Sequence, residues 1–207
     1  MSWITTPSPF RSITRVVQPA VEPVSLFDVK AYLGIVPEVA EDDDLLMGLI
    51  AAARIIVEER LHQTTTATRW RAKLAGWHSC ACSGLELPYP PVLWHPDDFP
   101  VEVRWKDRDG NVNTLPPESI EIDAEEIPGR IHIRESISNG CCESVATIEW
   151  WAGVQNPTDV RSPIRTAIKR LVGQCYTTRG DTPESVMYRG DSAIDAMLAS
   201  CSTAGRY

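Results

Sequence analysis

The stretch "EVAEDDDLLMGLIAAARIIVEERLHQ", Glu38 to Gln63, decides how the rest of the chain is read. Near its start stand Glu41, Asp42, Asp43 and Asp44 in unbroken succession, followed by an apolar repeat. A metal or acid/base site needs carboxylates that converge with partners from elsewhere, and consecutive acids on one helical turn point in different directions. A helix N-terminus instead favours negative charge, because its free N–H groups and macrodipole are positive there. Leu45, Leu46, Leu49, Ile50, Ala53, Ile56, Val57 and Leu61 recur at three and four residues. That spacing predicts a long amphipathic helix with Asp42 or Asp43 as its N-cap.

Upstream, "SLFDVKAYLG" repeats the signal. Ser25 with Asp28 approximates a capping box, Leu26, Val29 and Leu33 share one face, and Gly34 suits the stop. Downstream, from about Thr64 to Val154, the pattern changes to strands. "TTTATRWRAKLAGW" alternates and is rich in Thr and aromatic residues. "GLELPYPPV" is extended but cut by Pro88, Pro90 and Pro91, which restricts it to an edge or a crossing loop. "VEVRWKDRDGNVNTL" places two alternating runs around Asp109-Gly110, a hairpin signal. "SIEIDAEEIPGRIHIRE" repeats it around Pro128-Gly129, and "SVATIEWWAGV" gives a last strand. With no crossover helices between them, the strands are expected to pair antiparallel.

Helical spacing returns in "VRSPIRTAIKRLVGQCYTTRG", where Ile164, Ala167, Ile168, Leu171, Val172 and Cys175 form an apolar face. Ser162 reads as its cap, Pro163 as its first residue and Gly180 as its stop. The tail holds one short helix, Asp191 to Ser200, with little core of its own. The expected fold is α+β. It comprises a small helical bundle of two N-terminal helices and one C-terminal helix, an inserted, mostly antiparallel β domain, and an extended C-terminal tail. The expected segments are an arm at 1–22, the bundle at 23–63 and 158–180, the β insert at 64–157 and the tail at 181–207.

The 207 residues carry a net charge of -8, which argues against a broadly basic, nucleic-acid-coating surface. No apolar run reaches membrane-helix length, and "MSWITTPSPFRSITRVV" lacks a signal-peptide core, so a reducing cytoplasm is expected. The six cysteines, Cys80, Cys82, Cys141, Cys142, Cys175 and Cys201, follow CxC and CC spacings rather than paired CxxC. They read as reduced thiols, with a metal pairing in space as the alternative. His62, His78, His95 and His132 lie apart, without HExxH or HxH spacing. No G-x-S-x-G elbow and no P-loop occur, and Glu125-Glu126 sits at a turn, the usual place for solvated charge. The expectation is a protein that is not an enzyme and takes no cofactor or metal.

Two features leave alternatives open. Trp150 and Trp151 are adjacent in one strand and must face opposite sides, so one meets either a second packed layer or a subunit interface. Arg161, Arg165 and Lys169 are spaced by four and, with Arg170, make a basic stripe. It is either a solvated face or a strip near phosphates or an acidic neighbour.

In serial order, these stretches resemble the head–tail connector (adaptor) proteins of tailed bacteriophages and gene transfer agents, in the longer form with a β insert. "PVSLFDVKAYLGI" and "EDDDLLMGLIAAARIIVEERLHQ" are similar to that family's two opening helices. "TATRWRAKLAGW", "LELPYPPV", "VRWKDRDGNVNTLPPESIEID", "GRIHI", "IEWWAGV" and "VRSPIRTAIKRLVGQCYTTRG" are similar to its later segments. The likeness runs from Pro23 to Arg179, and its specificity lies in the order rather than in any one motif. It departs at "RLHQTTT", at "HPDDFP" and in the tail. The resemblance implies a ring, commonly of twelve copies, beneath the portal in the virion neck, assembled in the host bacterial cytoplasm. The implied partners are the portal protein, a stopper or tail-completion protein, neighbouring copies and the double-stranded DNA passing through the channel, with no membrane. The net negative charge suits a conduit that lets DNA pass. By the same resemblance the tail is expected to dock on the portal through Met187, Tyr188, Arg189, Ile194, Met197, Leu198, Arg206 and Tyr207. The stripe Arg161, Arg165, Lys169 and Arg170 is expected at the channel or a subunit interface. The hairpin tip Asp107, Arg108, Asp109, Gly110 and Asn111 is expected against a neighbour or the tail-side partner. The alternative from a different class is a small ligand- or carbohydrate-binding module that uses exposed tryptophans.

Overall fold

The computed structural model describes residues 9–74, 84–106, 109–134, 146–178 and 192–202. Cys80, Cys82, Cys141, Cys142, Trp77, His78 and Gly180 lie outside the described residues. The fold is α+β, in two compact units, Ala20–Thr66 with Val154–Tyr207, and Met1–Pro19 with Ala67–Gly153.

The first unit is helical: α1 (Leu26–Leu33), α2 (Asp43–Leu61), α3 (Ser162–Thr177) and α4 (Ser192–Ala199). Helix α1 starts with the predicted capping box. The Asp28 N–H donates to Ser25 Oγ at 3.1 Å, and the Asp28 carboxylate accepts from the Ser25 N–H and hydroxyl. It stops at Gly34, whose φ of 72° a residue with Cβ adopts only under strain. Helix α2 follows Asp42 as N-cap, as the acidic run predicts, although the Asp42 side chain makes no capping hydrogen bond. Helix α3 begins one residue earlier than its spacing suggests. Ser162 is already inside the first turn and Arg161 holds the cap position without a side-chain cap bond.

Val29, Leu46, Ile50, Val57, Ala167, Ile168 and Val172 fill the core of this unit, and Ile194, Leu198 and Cys201 belong to the same cluster. Helix α4 is therefore a fourth member of the bundle, whereas its sequence, rich in small and polar residues, reads as having little core of its own. Each of these Leu and Ile side chains contributes roughly 1.5–3 kcal/mol by leaving water.

The second unit is built from two sheets. The larger has the order β1 (Phe10–Val17), β2 (Thr68–Leu74), β9 (Thr147–Ala152), β5 (Glu102–Lys106) and β6 (Val112–Thr114), and β4 (Val92–Leu93) also pairs with β9. The smaller has the order β3 (Leu85–Glu86), β8 (Arg130–Ile133) and β7 (Ile120–Asp123). All the named strand pairs are antiparallel. Both predicted hairpins form, with Gly110 at φ 88° in the first.

Within the segment 1–22, expected as an N-terminal arm, Phe10–Val17 form the edge strand β1, paired along β2. The central strand β9 puts Ile148, Trp150 and Ala152 into a core with Trp70, Ala72, Val103, Leu87 and Ile131. Since Leu87 comes from beside β3 and Ile131 from β8, the two sheets share that core. Trp150 is wholly buried, and Trp151 on the opposite face packs edge-to-face on Phe99 at 5.5 Å. Phe99, from the connection between β4 and β5, thus covers part of the outward Trp.

Candidate functional site

The acidic run is consumed by tertiary contacts. Asp42 accepts a hydrogen bond from the Tyr176 hydroxyl at 2.6 Å, fastening α2 to α3. Asp43 pairs at 2.5 Å with Lys30, whose buried ammonium also donates to the carbonyls of Pro37 and Val39. Farther along α2, the buried Glu58 accepts from Arg54, the Thr65 N–H and the Thr65 hydroxyl at 3.0, 2.9 and 2.7 Å. Arg54 donates in turn to Glu22 at 2.8 Å. A carboxylate that accepts three such bonds has its acceptor capacity taken up by its own unit, which suits a structural clamp rather than a proton-transfer group.

The basic stripe is divided along α3. Arg161 donates to the carbonyls of Cys201 and Ser200 at 3.3 and 3.1 Å, satisfying groups just beyond the end of α4. Lys169 lies 5.9 Å from the Tyr32 ring centre. Lys169 and Arg165 both add to the depression of the Asp28 pKa, whose main cause is the Ser25 hydrogen bond. Arg165, Lys169 and Arg170 are half-buried and Arg161 is exposed. The stripe therefore serves α1 and α4 of its own bundle at several points.

Of the tail residues, Ile194 and Leu198 are buried in the bundle core and Met197 is half-buried. This opposes their use as free docking side chains, because apolar burial has already claimed them. Arg60 pairs with Asp195 at 3.0 Å, at a shallow groove between α2 and α4 lined also by Leu61, Leu198, Ala199 and Ser202. Met187, Tyr188, Arg189, Arg206 and Tyr207 lie outside the described residues, as do Asp107 and Arg108 of the hairpin tip. Asp109, Gly110 and Asn111 are exposed, next to a Val112 that is 61% exposed.

Neither outer face of the β unit was singled out from the sequence, yet both carry organised charge. On the large sheet, the face opposite the core presents Arg69, Arg71 and Lys73 of β2, Glu149 of β9, and Glu102, Arg104 and Lys106 of β5. Buried Glu149 bridges Arg69 and Arg71 at 2.9 and 2.7 Å, while Glu102 joins Arg69 at 2.8 Å and pairs with Arg104. Burial alone would raise the Glu102 carboxyl. The hydrogen bonds and charges of Arg104 and Arg69 outweigh it and hold the group below its ordinary value. Glu102 in turn raises the Arg104 guanidinium.

On the small sheet, Glu86, Glu121, Asp123, Arg130 and His132 face outward, with Glu125 and Glu126 in the adjoining turn. Glu86 and Glu126 flank Arg130 at 2.9 and 3.2 Å, and Glu121 pairs with Arg134 at 3.0 Å. Along β7 runs a groove lined by Trp94, Glu121, Ile122, Asp123, Ala124, Glu125 and His132. Trp94 is 45% exposed there, while Trp70 and Trp150 are buried. The signal for the basic face was present in "TRWRAK" and "VRWK", where cations recur every second residue.

No family model and no curated protein matches the chain. Among solved structures, it is similar to a chain in the virion of a native gene transfer agent (GTA) particle. The TM-score is 0.72 at 16% identity, over 92% of this chain and 95% of that one. A chain from the neck of an empty GTA particle, computed with sixfold symmetry, gives 0.70 at 16% identity over 93% and 95%. One from the neck of a native GTA particle, computed with twelvefold symmetry, gives 0.63 at 18% identity over 92% and 95%. These likenesses establish a shared fold along nearly the whole of each chain.

Proposed function

We propose that the chain is a structural head–tail connector of a tailed phage or gene transfer agent, forming a ring beneath the portal that extends the DNA channel and joins capsid to tail. The observation that carries this reading is the match to virion and neck chains over 92% or more of the length, which takes in both units. The serial order of the sequence stretches independently points the same way. The carboxylates and cations inside the helical unit hold helices together, which suits an assembly part. The neighbours with sixfold and twelvefold symmetry come from necks, and a ring of copies is the arrangement proposed for this chain.

Portal docking is assigned to the part of the tail around Met187, Tyr188 and Arg189 and to Arg206 and Tyr207, because Ile194 and Leu198 are occupied by the core. The hairpin tip at Asp109–Asn111 is assigned to a neighbour or to the tail-side partner. The carbohydrate-binding alternative is weaker. Such a module stacks sugars on exposed aromatic rings, and among the described tryptophans only Trp94 is exposed. The test is co-sedimentation with a purified portal ring, comparing the full chain with one ending at Asp181. The full chain is expected to pellet with the portal and the shortened chain to lose most of that binding. If neither binds any portal assembly, portal docking is wrong.

A further inference from the structure

The outer faces of the β unit differ in sign although the whole chain is acidic. On the large sheet, Arg69, Arg71, Lys73, Arg104 and Lys106 outnumber Glu102 and Glu149. On the small sheet and its turn, carboxylates outnumber the guanidinium groups of Arg130 and Arg134. Most charges on each face are already neutralised within the face. Those left over are specific: among the described residues no ion pair engages Lys73, Lys106 or Glu125, and all three are exposed.

We propose that these faces are the two halves of one head-to-tail contact between copies of this chain, with Lys73 and Lys106 of one copy received by the groove of Trp94, Glu121 and Glu125 in the next. The inference rests on the ring reading and specifies its subunit contact.

Three considerations choose this occupant. First, a groove walled by carboxylates and an exposed indole suits an ammonium or guanidinium group, which gains ion pairing and the negative face of the ring together. Second, the basic face is a poor seat for a nucleic-acid backbone. Glu149 and Glu102 stand among its arginines at 2.7–2.9 Å, so a run of phosphates laid there meets carboxylates. A protein surface with a few discrete carboxylates can address the two lysines and avoid those acids. Third, the surfaces belong to different sheets, so one copy can offer both at once. A twofold contact of either face with itself would set like charges together. Joining unlike faces is the heterologous arrangement that closes into a ring. Rim ion pairs of this kind set register and encounter rate more than affinity, so the contact should weaken with salt.

The experiment uses the full chain and four exposed side chains. One variant carries Lys73→Glu and Lys106→Glu, a second carries Glu121→Lys and Glu125→Lys, and a third carries all four changes. Circular dichroism confirms folding, and sedimentation with electron microscopy measures oligomers across protein and salt concentrations. Each two-site variant alone is expected to need at least about tenfold more protein to assemble. An equimolar mixture of the two, and the four-site variant alone, should recover assembly, because opposite charges face each other again at every junction. A general loss of folding would give no such recovery. Rings that form equally well in every variant overturn the contact and leave the ring reading standing. Loss of DNA retention with unchanged ring formation also overturns it, assigning the basic face to nucleic acid. A wild-type chain that forms no oligomer at any concentration, alone or on a portal, sinks the ring reading and this contact with it.

Discussion

Glu58 shows how much one side chain can organise. It lies in the last turns of α2 and is 1% exposed, yet it holds Arg54 on its own helix and both donors of Thr65 in the following segment. Glu58→Ala leaves the buried Arg54 guanidinium with Glu22 as its remaining partner and strips the Thr65 N–H and hydroxyl of their acceptor. We expect a loss of about 3 kcal/mol in stability, read by urea unfolding. A second prediction concerns acid. Asp28 and Glu102 both titrate below their ordinary values of 3.8 and 4.5 in the folded chain. Each therefore contributes stability that is fully present above its ordinary value and is lost as pH falls through the depressed one. Unfolding titrations should show stability falling below about pH 4, with a shallower fall in Glu102→Gln. The sequence carried the capping box of Ser25 and Asp28, because all its atoms lie within one turn. It did not carry the partners of Asp42 and Asp43, since Tyr176 and Lys30 meet them only after the helices pack.

Among the elements, those with strong periodicity were legible and those dependent on a neighbour were not. Helices α1, α2 and α3 follow from the 3.6-residue repeat, and the β5–β6 hairpin from Asp109-Gly110. Strand β1 escaped notice because "FRSITRVV" lies at a sheet edge, where neither face is continuously buried. Its register with β2 also slips twice. Strands β3 and β4 are two residues each, too short to alternate. Helix α4 was legible as a helix but not as core, because Ile194 and Leu198 acquire their meaning only against the bundle. Ile194→Ala should therefore cost about 2–5 kcal/mol in thermal or urea unfolding, whereas a helix lying free of the bundle would tolerate the change.

For the whole molecule, the α+β architecture and the inserted β domain could be read from the order of the stretches, and no single stretch was enough. The candidate surfaces were less legible. The basic stripe on α3 was visible as spacing, but the partners of Arg161 and Lys169 lie just beyond α4 and on α1. The alternating cations of β2 and β5 are visible in sequence, but that they share one face, and that the other sheet carries the opposite sign, emerges only from the pairing of β2, β9 and β5 and of β7 and β8. If copies join through such faces, as proposed, their assembly should weaken as salt rises. The central proposal is that this chain is a ring-forming part of a virion neck. Imaging the neck of particles that incorporate the chain, at a resolution that traces the backbone, tests it most directly. The account predicts a closed symmetric ring of this fold between portal and tail, with both units of every copy in place. A neck without this chain, or the chain present as isolated copies elsewhere in the particle, would contradict it.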